Sequence, residues 1–216
     1  MKVELMSHTL SPEKLIGDAA RVCYQSEGSN NTVLIEKLIQ SGHTSVLEHA
    51  KFTFKISEVS RVLTHQLVRH RIASYSQESQ RYVHKGGFNF VTPDRIKRAG
   101  LEERYSFYVK QQEQAYSFLI EKLMNKGYSE KEAIESARYL LPNAVCSEIV
   151  ATFNYRSLWN FFTLRCCDRA QNEIQKLAYK MLKICKRKAP SVFEKAGAKC
   201  VRDNCQEHLK CERGGR

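Results

Sequence analysis

Alternating apolar and polar residues predict several short strands in this chain. The alternation is clearest at Phe52, Phe54 and Ile56, where lysine and threonine occupy the intervening positions. Successive side chains of a strand point to opposite faces, so a two-residue period indicates a strand with one buried face. The predicted strands are residues 2–7, 51–56, 88–91 and 145–153.

Apolar residues at helical spacing fill the intervals between these strands. A capping box at Ser129 and glycines at positions 42 and 127 mark helix ends. We expect helices over residues 12–23, 33–41, 57–69, 92–126, 129–140, 157–164 and 170–188. In the longest of these, an apolar stripe from Leu101 to Leu123 is typical of a core or a subunit interface.

The strands and helices lack the regular alternation of parallel βαβ units. They predict an α+β fold, a single domain with a small mixed or antiparallel sheet flanked by helices. We place the domain at residues 1–190 and a basic, cysteine-containing tail at residues 191–216. The tail's potential metal ligands are Cys200, Cys205, His208 and Cys211. Their spacing lacks closely paired thiols, so we expect a disordered tail without metal, and a structural zinc is the less favoured alternative.

Composition limits the partners and the compartment. The 216 residues carry a formal net charge of +12, which suits nucleotides, dinucleotide cofactors, polyglutamylated folate or nucleic acid. No apolar run approaches the roughly 20 residues of a membrane helix, and the N-terminus lacks the apolar segment of a signal peptide. We therefore expect a cytoplasmic protein with no membrane partner, whose eight cysteines are reduced.

The segment from Arg69 to Tyr82 concentrates hydrogen-bonding groups. It combines Arg69, His70, Arg71 and Arg81 with serine and tyrosine hydroxyls, and its lack of helical or strand periodicity predicts a loop. Arginine donates two parallel hydrogen bonds to phosphate, and serine adds short-range donors, so this loop is suited to wrap an anion. From composition alone, a solvated basic surface loop is the alternative.

Three separated motifs resemble those of flavin-dependent thymidylate synthases. The first is Arg-His-Arg at residues 69–71, followed after seven residues by Ser79 and then by Arg81-Tyr82. The second is Gly-His-Thr-Ser-Val-Leu-Glu-His at residues 42–49, and the third runs from Asn154 to Arg165. The motifs occur in the family's order and cover most of residues 40–180.

The resemblance implies a reaction, a cofactor and partners. Members of this family methylate dUMP reductively to dTMP, with methylenetetrahydrofolate as carbon donor, NADPH as reductant and FAD as hydride carrier. The family also implies a homotetramer whose sites are shared between subunits, without a nucleic-acid partner. The Pro-Cys-His motif of classical thymidylate synthases does not occur in this sequence, so we expect no cysteine nucleophile.

The resemblance further implies roles for individual residues. Flavin contacts are expected from Ser45, Arg69, His70, Arg71, Gln77, Asn154, Tyr155, Arg156 and Asn160. Contacts with dUMP are expected from Gln66, Leu67, Val68, Arg69, Gln77, Glu78, Ser79, Gln80, Arg81, Arg138 and Arg165. Arg165 matches the catalytic residue. We interpret Ser79 as a nucleotide ligand and not as a nucleophile, because a serine nucleophile needs an adjacent base. The only imidazole nearby in the sequence is that of His70, and the two arginines that flank His70 disfavour the charged form of the ring.

Departures from the family pattern leave some roles open. Ser76-Gln77 stands where many members have Asn-Glu, Glu78 brings a charge that must point away or pair with arginine, and Arg169 replaces a histidine of some members. Two rival interpretations remain. One is a basic nucleic-acid-binding module, and the other is a metal-dependent hydrolase using His43 and His49, which lacks carboxylate ligands at convincing spacing.

Overall fold

A four-stranded antiparallel sheet, with strand order β1-β2-β4-β3, is the framework of the fold. The computed structural model describes residues 1–28, 30–202 and 205. Its strands are β1 Lys2–His8, β2 Lys51–Ser60, β3 Ala73–Gln77 and β4 Cys146–Asn154. The predicted α+β class is confirmed, and the sheet is of the antiparallel kind.

Ten α-helices and two 3₁₀ helices accompany the sheet within the described residues. The α-helices are α1 Pro12–Tyr24, α2 Asn31–Gln40, α3 Arg61–Leu67, α4 Asp94–Arg98, α5 Glu102–Asn125, α6 Glu130–Ala137, α7 Tyr155–Arg165, α8 Asn172–Lys188, α9 Pro190–Phe193 and α10 Lys199–Arg202. The 3₁₀ helices are Ser45–His49 and Arg138–Leu140. No described helix is both long enough and apolar enough to cross a membrane.

Strands β2 and β4 follow the alternation that predicted them. Phe52, Phe54 and Ile56 of β2 are fully buried, while the residues between them are partly exposed. Across the pair, the Thr53 and Thr152 hydroxyls are 2.9 Å apart and share a hydrogen bond. A shift of one residue would move every apolar side chain to the other face, so the buried phenylalanines hold this register.

The boundary between β2 and α3 differs from the predicted helix over residues 57–69. β2 continues to Ser60, and α3 covers only Arg61–Leu67. The strand is longer because Val59 is fully buried in it. Ser60 caps the helix, since its Oγ accepts a hydrogen bond from the Leu63 backbone N–H at 3.1 Å.

The predicted helix over residues 92–126 is two helices, α4 and α5. The break lies at Gly100, whose φ of 70° is left-handed and ends α4. α5 buries Val109, Tyr116 and Ile120, whereas Leu101, the predicted start of the apolar stripe, is 51% exposed. The predicted stripe is therefore confirmed in part. Tyr105, Leu119 and Leu123 pack against buried clusters, whereas Leu101 does not, because packing against α6 selects the buried face of α5.

The segment of residues 69–82 was expected to be a loop, but its middle forms β3. Side chains of β3 alternate between half-buried and exposed, so neither face carries the apolar signal by which a strand is recognised in sequence. Conversely, residues 88–91 contribute one bridge, from Phe90 to Val145, in place of the predicted strand.

Helix α7 begins earlier than the sequence indicated. The helix was expected over residues 157–164, but Asn154 caps it, because its Oδ1 accepts a hydrogen bond from the Ser157 backbone N–H at 2.8 Å. Asparagine and serine cap helices about equally well. The choice between them follows from the end of β4 at Asn154.

The chain divides into two compact units, and we name each after one of its helices. The α5 unit consists of Met1–Lys2, Ile56–Gln66 and Ser76–Ile149. The α7 unit consists of the described residues of Val3–Lys55, Leu67–Tyr75 and the described part of the chain from Val150 onward. One core cluster of the α5 unit joins Tyr116 and Ile120 to α6. The core of the α7 unit is aromatic, and Phe52 stacks on Tyr155 with ring centroids 4.8 Å apart.

The structure describes part of the predicted tail. α9 buries Val192 and Phe193, and the Phe193 ring packs edge-on against Tyr155 with centroids 5.0 Å apart. Among the predicted metal-ligand candidates, His208 and Cys211 lie outside the described residues. The domain boundary at residue 190 stays a prediction.

Candidate functional site

In the α7 unit, the side chain of Arg165 is held against His70. Arg165 is the last residue of α7, and its Nε donates a hydrogen bond to His70 Nε2 at 2.8 Å. A guanidinium group has no acceptor, so Nε2 must be the unprotonated nitrogen and the neutral ring carries its proton on Nδ1. The His70 ring meets Phe161 edge-on, with centroids 4.9 Å apart. The terminal nitrogens of Arg165 are then the donors left for a ligand.

The neutral state of His70 follows from its surroundings. The residue is only 8% exposed. Burial and, after it, the positive charge of Arg165 lower the pKa of His70 to about 4. An uncharged ring was predicted from the sequence, and this is confirmed. The cause differs, because the sequence argument invoked the neighbouring arginines.

The turn that carries Arg69, His70 and Arg71 is fastened by Tyr75. The Tyr75 hydroxyl lies 2.8 Å from the Leu67 carbonyl oxygen and 2.7 Å from the His70 carbonyl oxygen, and both accept from it. Burial raises the pKa of Tyr75, so the hydroxyl keeps its proton. Arg69 and Arg71 are exposed, and neither forms an ion pair with another described residue. The turn thus presents two guanidinium groups to solvent.

Positive charge accumulates around this turn. Burial and the neighbouring Arg69 lower the pKa of Arg165, although a guanidinium stays protonated at physiological pH. Mutually repelling cations are stabilised by an anion between them. The structure therefore brings Arg69, His70, Arg71 and Arg165 together as a candidate anion-binding cluster.

The predicted flavin residues at the start of α7 differ in burial, and only some of them are exposed to a ligand. Asn154 uses its side chain as the helix cap, and the fully buried Tyr155 has its ring in the aromatic core. Arg156 and Asn160 are both exposed and lie one turn apart on the same face of α7. Arg156 Nη1 also donates a hydrogen bond to Glu48 Oε1 at 2.5 Å.

Three further predicted residues complete the set in this unit. Ser45 is exposed at the start of the first 3₁₀ helix. Leu67 is fully buried at the end of α3, and Val68 is half-buried. The backbone carbonyl of Leu67 is engaged by Tyr75, so a contact of Leu67 with a ligand would come from other backbone atoms.

In the α5 unit, Gln77 is tied to two buried hydroxyls. Its Nε2 donates a hydrogen bond to Thr64 Oγ1 at 2.8 Å and lies 3.5 Å from Ser147 Oγ. Thr64 is fully buried and Ser147 is 3% exposed. Gln66, also predicted to bind dUMP, is half-buried in α3.

Glu78 has a partner that the sequence did not indicate. It forms a salt bridge with Lys85, whose Nζ also donates a hydrogen bond to the Cys146 carbonyl oxygen at 3.3 Å. The backbone N–H of Lys85 donates to the Tyr116 hydroxyl at 3.2 Å. Glu78 was expected to point away or to pair with arginine, and it pairs with lysine.

The remaining predicted dUMP residues follow along the same segment. Arg81 Nη2 donates a hydrogen bond to Glu135 Oε2 of α6 at 2.8 Å, and the Arg81 backbone N–H donates to Ser79 Oγ at 3.2 Å. Hydrogen bonding by Arg81 holds the pKa of Glu135 below its usual range, and the charge of Arg138 adds to this. Gln80 is half-buried. Arg81, Ser79 and Arg138 therefore belong to one polar cluster around Glu135.

Sequence reasoning missed Thr64, Lys85 and Glu135. Lys85 and Glu135 carry charges opposite to those of predicted residues, but no local spacing pairs them, because Arg81 and Glu135 are 54 positions apart. Thr64 lies within a predicted helix, and nothing in the local sequence distinguishes it from any other helix residue. Among the described residues, no group of three or more His, Cys, Asp or Glu side chains is placed to hold a metal ion.

Comparison with known proteins defines the family. A profile described as "Thymidylate synthase complementing protein" matches residues 4–191. The chain belongs to the thymidylate synthase complementing protein family.

Individual relatives carry a more specific name, flavin-dependent thymidylate synthase. The relative from Clostridium tetani is 42% identical over 226 residues, which cover 96% of this chain and 91% of that protein. The relative from Geobacter sulfurreducens is 43% identical over 219 residues, with 96% and 91% covered. The one from Pyrococcus abyssi is 41% identical over 219 residues, with 93% and 87% covered. The resemblance seen in the three sequence motifs is confirmed.

Proposed function

We propose that this chain is a flavin-dependent thymidylate synthase that methylates dUMP reductively to dTMP. Methylenetetrahydrofolate supplies the carbon and NADPH supplies the electrons. The similarity to relatives of that name over most of the chain supports the reaction, and membership of the family makes the chain a FAD-dependent enzyme that transfers a methyl group. The structural observation that carries the proposal is the Arg165–His70 pair beside the exposed arginines of the same turn.

The donor set of the α7 unit fits an anionic dinucleotide such as FAD. Arg69 and Arg71 offer exposed guanidinium groups, and an arginine donates two parallel hydrogen bonds to a phosphate. Ser45, Arg156 and Asn160 are exposed and add neutral and charged donors. When bound, FAD supplies the hydride chemistry that amino-acid side chains lack.

Arg165 is the proposed catalytic residue. C5 of uracil attacks an electrophile only from an electron-rich ring, in which negative charge is delocalised onto the carbonyl oxygens. A guanidinium held in advance near a uracil carbonyl stabilises that charge more than it stabilises the ground state. His70 holds Arg165 by its Nε and leaves the planar pair of terminal nitrogens for this role.

The α5 unit supplies the other proposed dUMP contacts. Ser79, Arg81 and Arg138 are donors suited to the nucleotide phosphate, and Gln66 and Gln77 are donors or acceptors suited to base or sugar. No cysteine is assigned a covalent role. Cys166 is fully buried beside Arg165, and we expect replacement of Cys166 and Cys167 by alanine to leave turnover within a few-fold.

The assembly and the compartment belong to the proposal as well. We propose a cytoplasmic homotetramer with shared sites, which binds dUMP, folate and NADPH but not nucleic acid. Light scattering on the FAD-bound protein tests the assembly, and a stable monomer that retains FAD contradicts it.

The function is tested by the absorbance of the purified protein and by product analysis. We expect a flavin spectrum and dTMP formation that depends on dUMP, methylenetetrahydrofolate and NADPH. Arg71→Ala should bind FAD about tenfold or more weakly, since one charged hydrogen bond contributes roughly 1.5–3 kcal/mol. Arg98→Ala, an exposed arginine of α4, is the matched control and should bind FAD normally. A protein that neither binds flavin nor makes dTMP refutes the proposal.

A further inference from the structure

The buried hydroxyl of Thr64 decides how the amide of Gln77 is oriented. Thr64 Oγ1 lies 3.1 Å from the Arg61 carbonyl oxygen and 2.8 Å from the terminal amide of Gln77. A carbonyl oxygen only accepts hydrogen bonds, so the single hydroxyl proton of Thr64 is donated to Arg61. The Gln77 atom that faces Thr64 must then be the donor, its NH₂ group.

This arrangement leaves the amide oxygen of Gln77 as the group that meets a ligand. Both hydrogen bonds of the Gln77 amide within the described residues are made by Nε2, to Thr64 and to Ser147. Oε1 accepts none from a described residue and is not sealed from solvent. Gln77 therefore offers an acceptor that cannot rotate into a donor without losing its hydrogen bond to the buried Thr64 hydroxyl.

We infer that Thr64 is a positioning residue that presents Gln77 Oε1 to an imide N–H. The inference rests on the proposed function, because uracil and the flavin ring both carry an imide N–H between two carbonyls. A ring lacking that donor would leave Oε1 unpaired on binding, which is the basis of discrimination between ligands. Thr64 acts through Gln77 and needs no contact with the ligand itself.

The same geometry accounts for glutamine, and not glutamate, at this position. A carboxylate has no proton to donate to Thr64. Gln77→Glu would force the Thr64 hydroxyl to turn toward residue 77 and to abandon the Arg61 carbonyl. We therefore expect Gln77→Glu to bind the imide ligand more weakly in this chain.

Three variants in the full-length protein test the inference. Thr64→Val removes the hydroxyl at constant shape, and Thr64→Ser retains it. Thr152→Val removes a hydroxyl from the Thr53 pair, away from Gln77, and serves as the matched control. If Thr64→Val does not fold, Thr64→Ala removes the same hydroxyl from a smaller side chain.

The measurements separate the two imide ligands. Dissociation constants for dUMP are taken by calorimetry and those for FAD by fluorescence, with KM and kcat alongside. Thr64→Val should weaken one ligand by about fivefold to tenfold, the scale of one neutral hydrogen bond, with kcat within about threefold. Thr64→Ser and Thr152→Val should match the parent. The ligand that weakens identifies the imide that Gln77 meets.

A double-mutant cycle distinguishes positioning from general loosening. On a Gln77→Ala background, Thr64→Val should have no further effect on either dissociation constant. An equal effect in both backgrounds, or a Thr64→Val protein with parental constants for both ligands, overturns the inference while the proposed function stands. A parental protein that binds neither ligand overturns both.

Discussion

The two regions that carry the predicted ligand residues are held by different forces. In the α7 unit, Arg165 is positioned by the buried, neutral ring of His70 at 2.8 Å. In the α5 unit, the segment of residues 77–85 is held largely by opposite charges. Arg81 pairs with Glu135, and Glu78 pairs with Lys85.

This difference determines how each region responds to its environment. A hydrogen bond to a buried neutral ring is little affected by salt, but it fails when the ring acquires a proton. An ion pair weakens as its exposure and the salt concentration rise. The side chains of Arg81 and Glu135 are 42% and 40% exposed, whereas those of Lys85 and Glu78 are 13% and 22% exposed. We therefore expect salt to weaken the Arg81–Glu135 pair more than the Glu78–Lys85 pair.

The largest expected effect is that of Arg165→Lys on catalysis. Lysine keeps the charge but loses both the planar pair of donors and the Nε–H that His70 accepts. We expect the variant to fold and to bind FAD, while dTMP formation falls by about 10²-fold or more. NADPH oxidation without methylation should survive better than methylation. Arg187→Lys on α8 is the control, and a parental rate of dTMP formation in Arg165→Lys would show that Arg165 is only a structural cation.

Lys85→Met should cause the next largest effect, on stability. It leaves the mostly buried Glu78 carboxylate without its cation and removes the hydrogen bond that Lys85 Nζ donates to the Cys146 carbonyl. We expect the free energy of unfolding in urea to fall by about 2 kcal/mol, less than for a fully buried pair.

Two comparisons sharpen the Lys85 measurement. Glu78→Gln combined with Lys85→Met should lose less stability than Lys85→Met alone, because the uncompensated charge is gone. Lys126→Met, at an exposed position, should leave stability unchanged. Equal losses from Lys85→Met and Lys126→Met would mean that the ion pair contributes nothing.

The pH dependence of stability tests the neutral His70. Its pKa is about 4 in the folded protein and about 6.5 in an unfolded chain. The unfolded state therefore takes up a proton first as the pH falls, so the stabilisation is present above pH ~6.5 and is lost between pH ~6.5 and pH ~4. From pH ~7 to pH ~5, the parent should lose about 1 to 2 kcal/mol more than His70→Gln, measured by urea unfolding. Parallel pH profiles would contradict the assignment.

Glu135→Gln should have the smallest effect. Its pair with Arg81 is exposed, and exposed pairs contribute little and are screened by salt. We expect a slight fall in Tm at low salt that disappears at high salt. A fall in Tm that persists at high salt would mean that the Arg81–Glu135 pair, like the Glu78–Lys85 pair, is shielded from screening by salt.

Local features were predictable from the sequence. The alternation of β2 and β4, the capping box at Ser129 and the α+β class are all present in the structure. The alternation and the capping box each depend on residues within one turn or one strand, so a short stretch of sequence contains the whole signal. The class follows from the order of these elements along the chain. The order of the three motifs likewise indicated the family.

Only the tertiary structure decided the ends of elements and the partners of the polar residues. Burial of Val59 extended β2 past the expected helix start, and packing against α6 selected the buried face of α5. Arg165 and His70 meet across 95 positions, and Gln77 meets Ser147 across 70. The residue types determine which donors and acceptors these side chains carry. Which of those donors and acceptors form hydrogen bonds depends on neighbours that only folding brings within 3 to 4 Å.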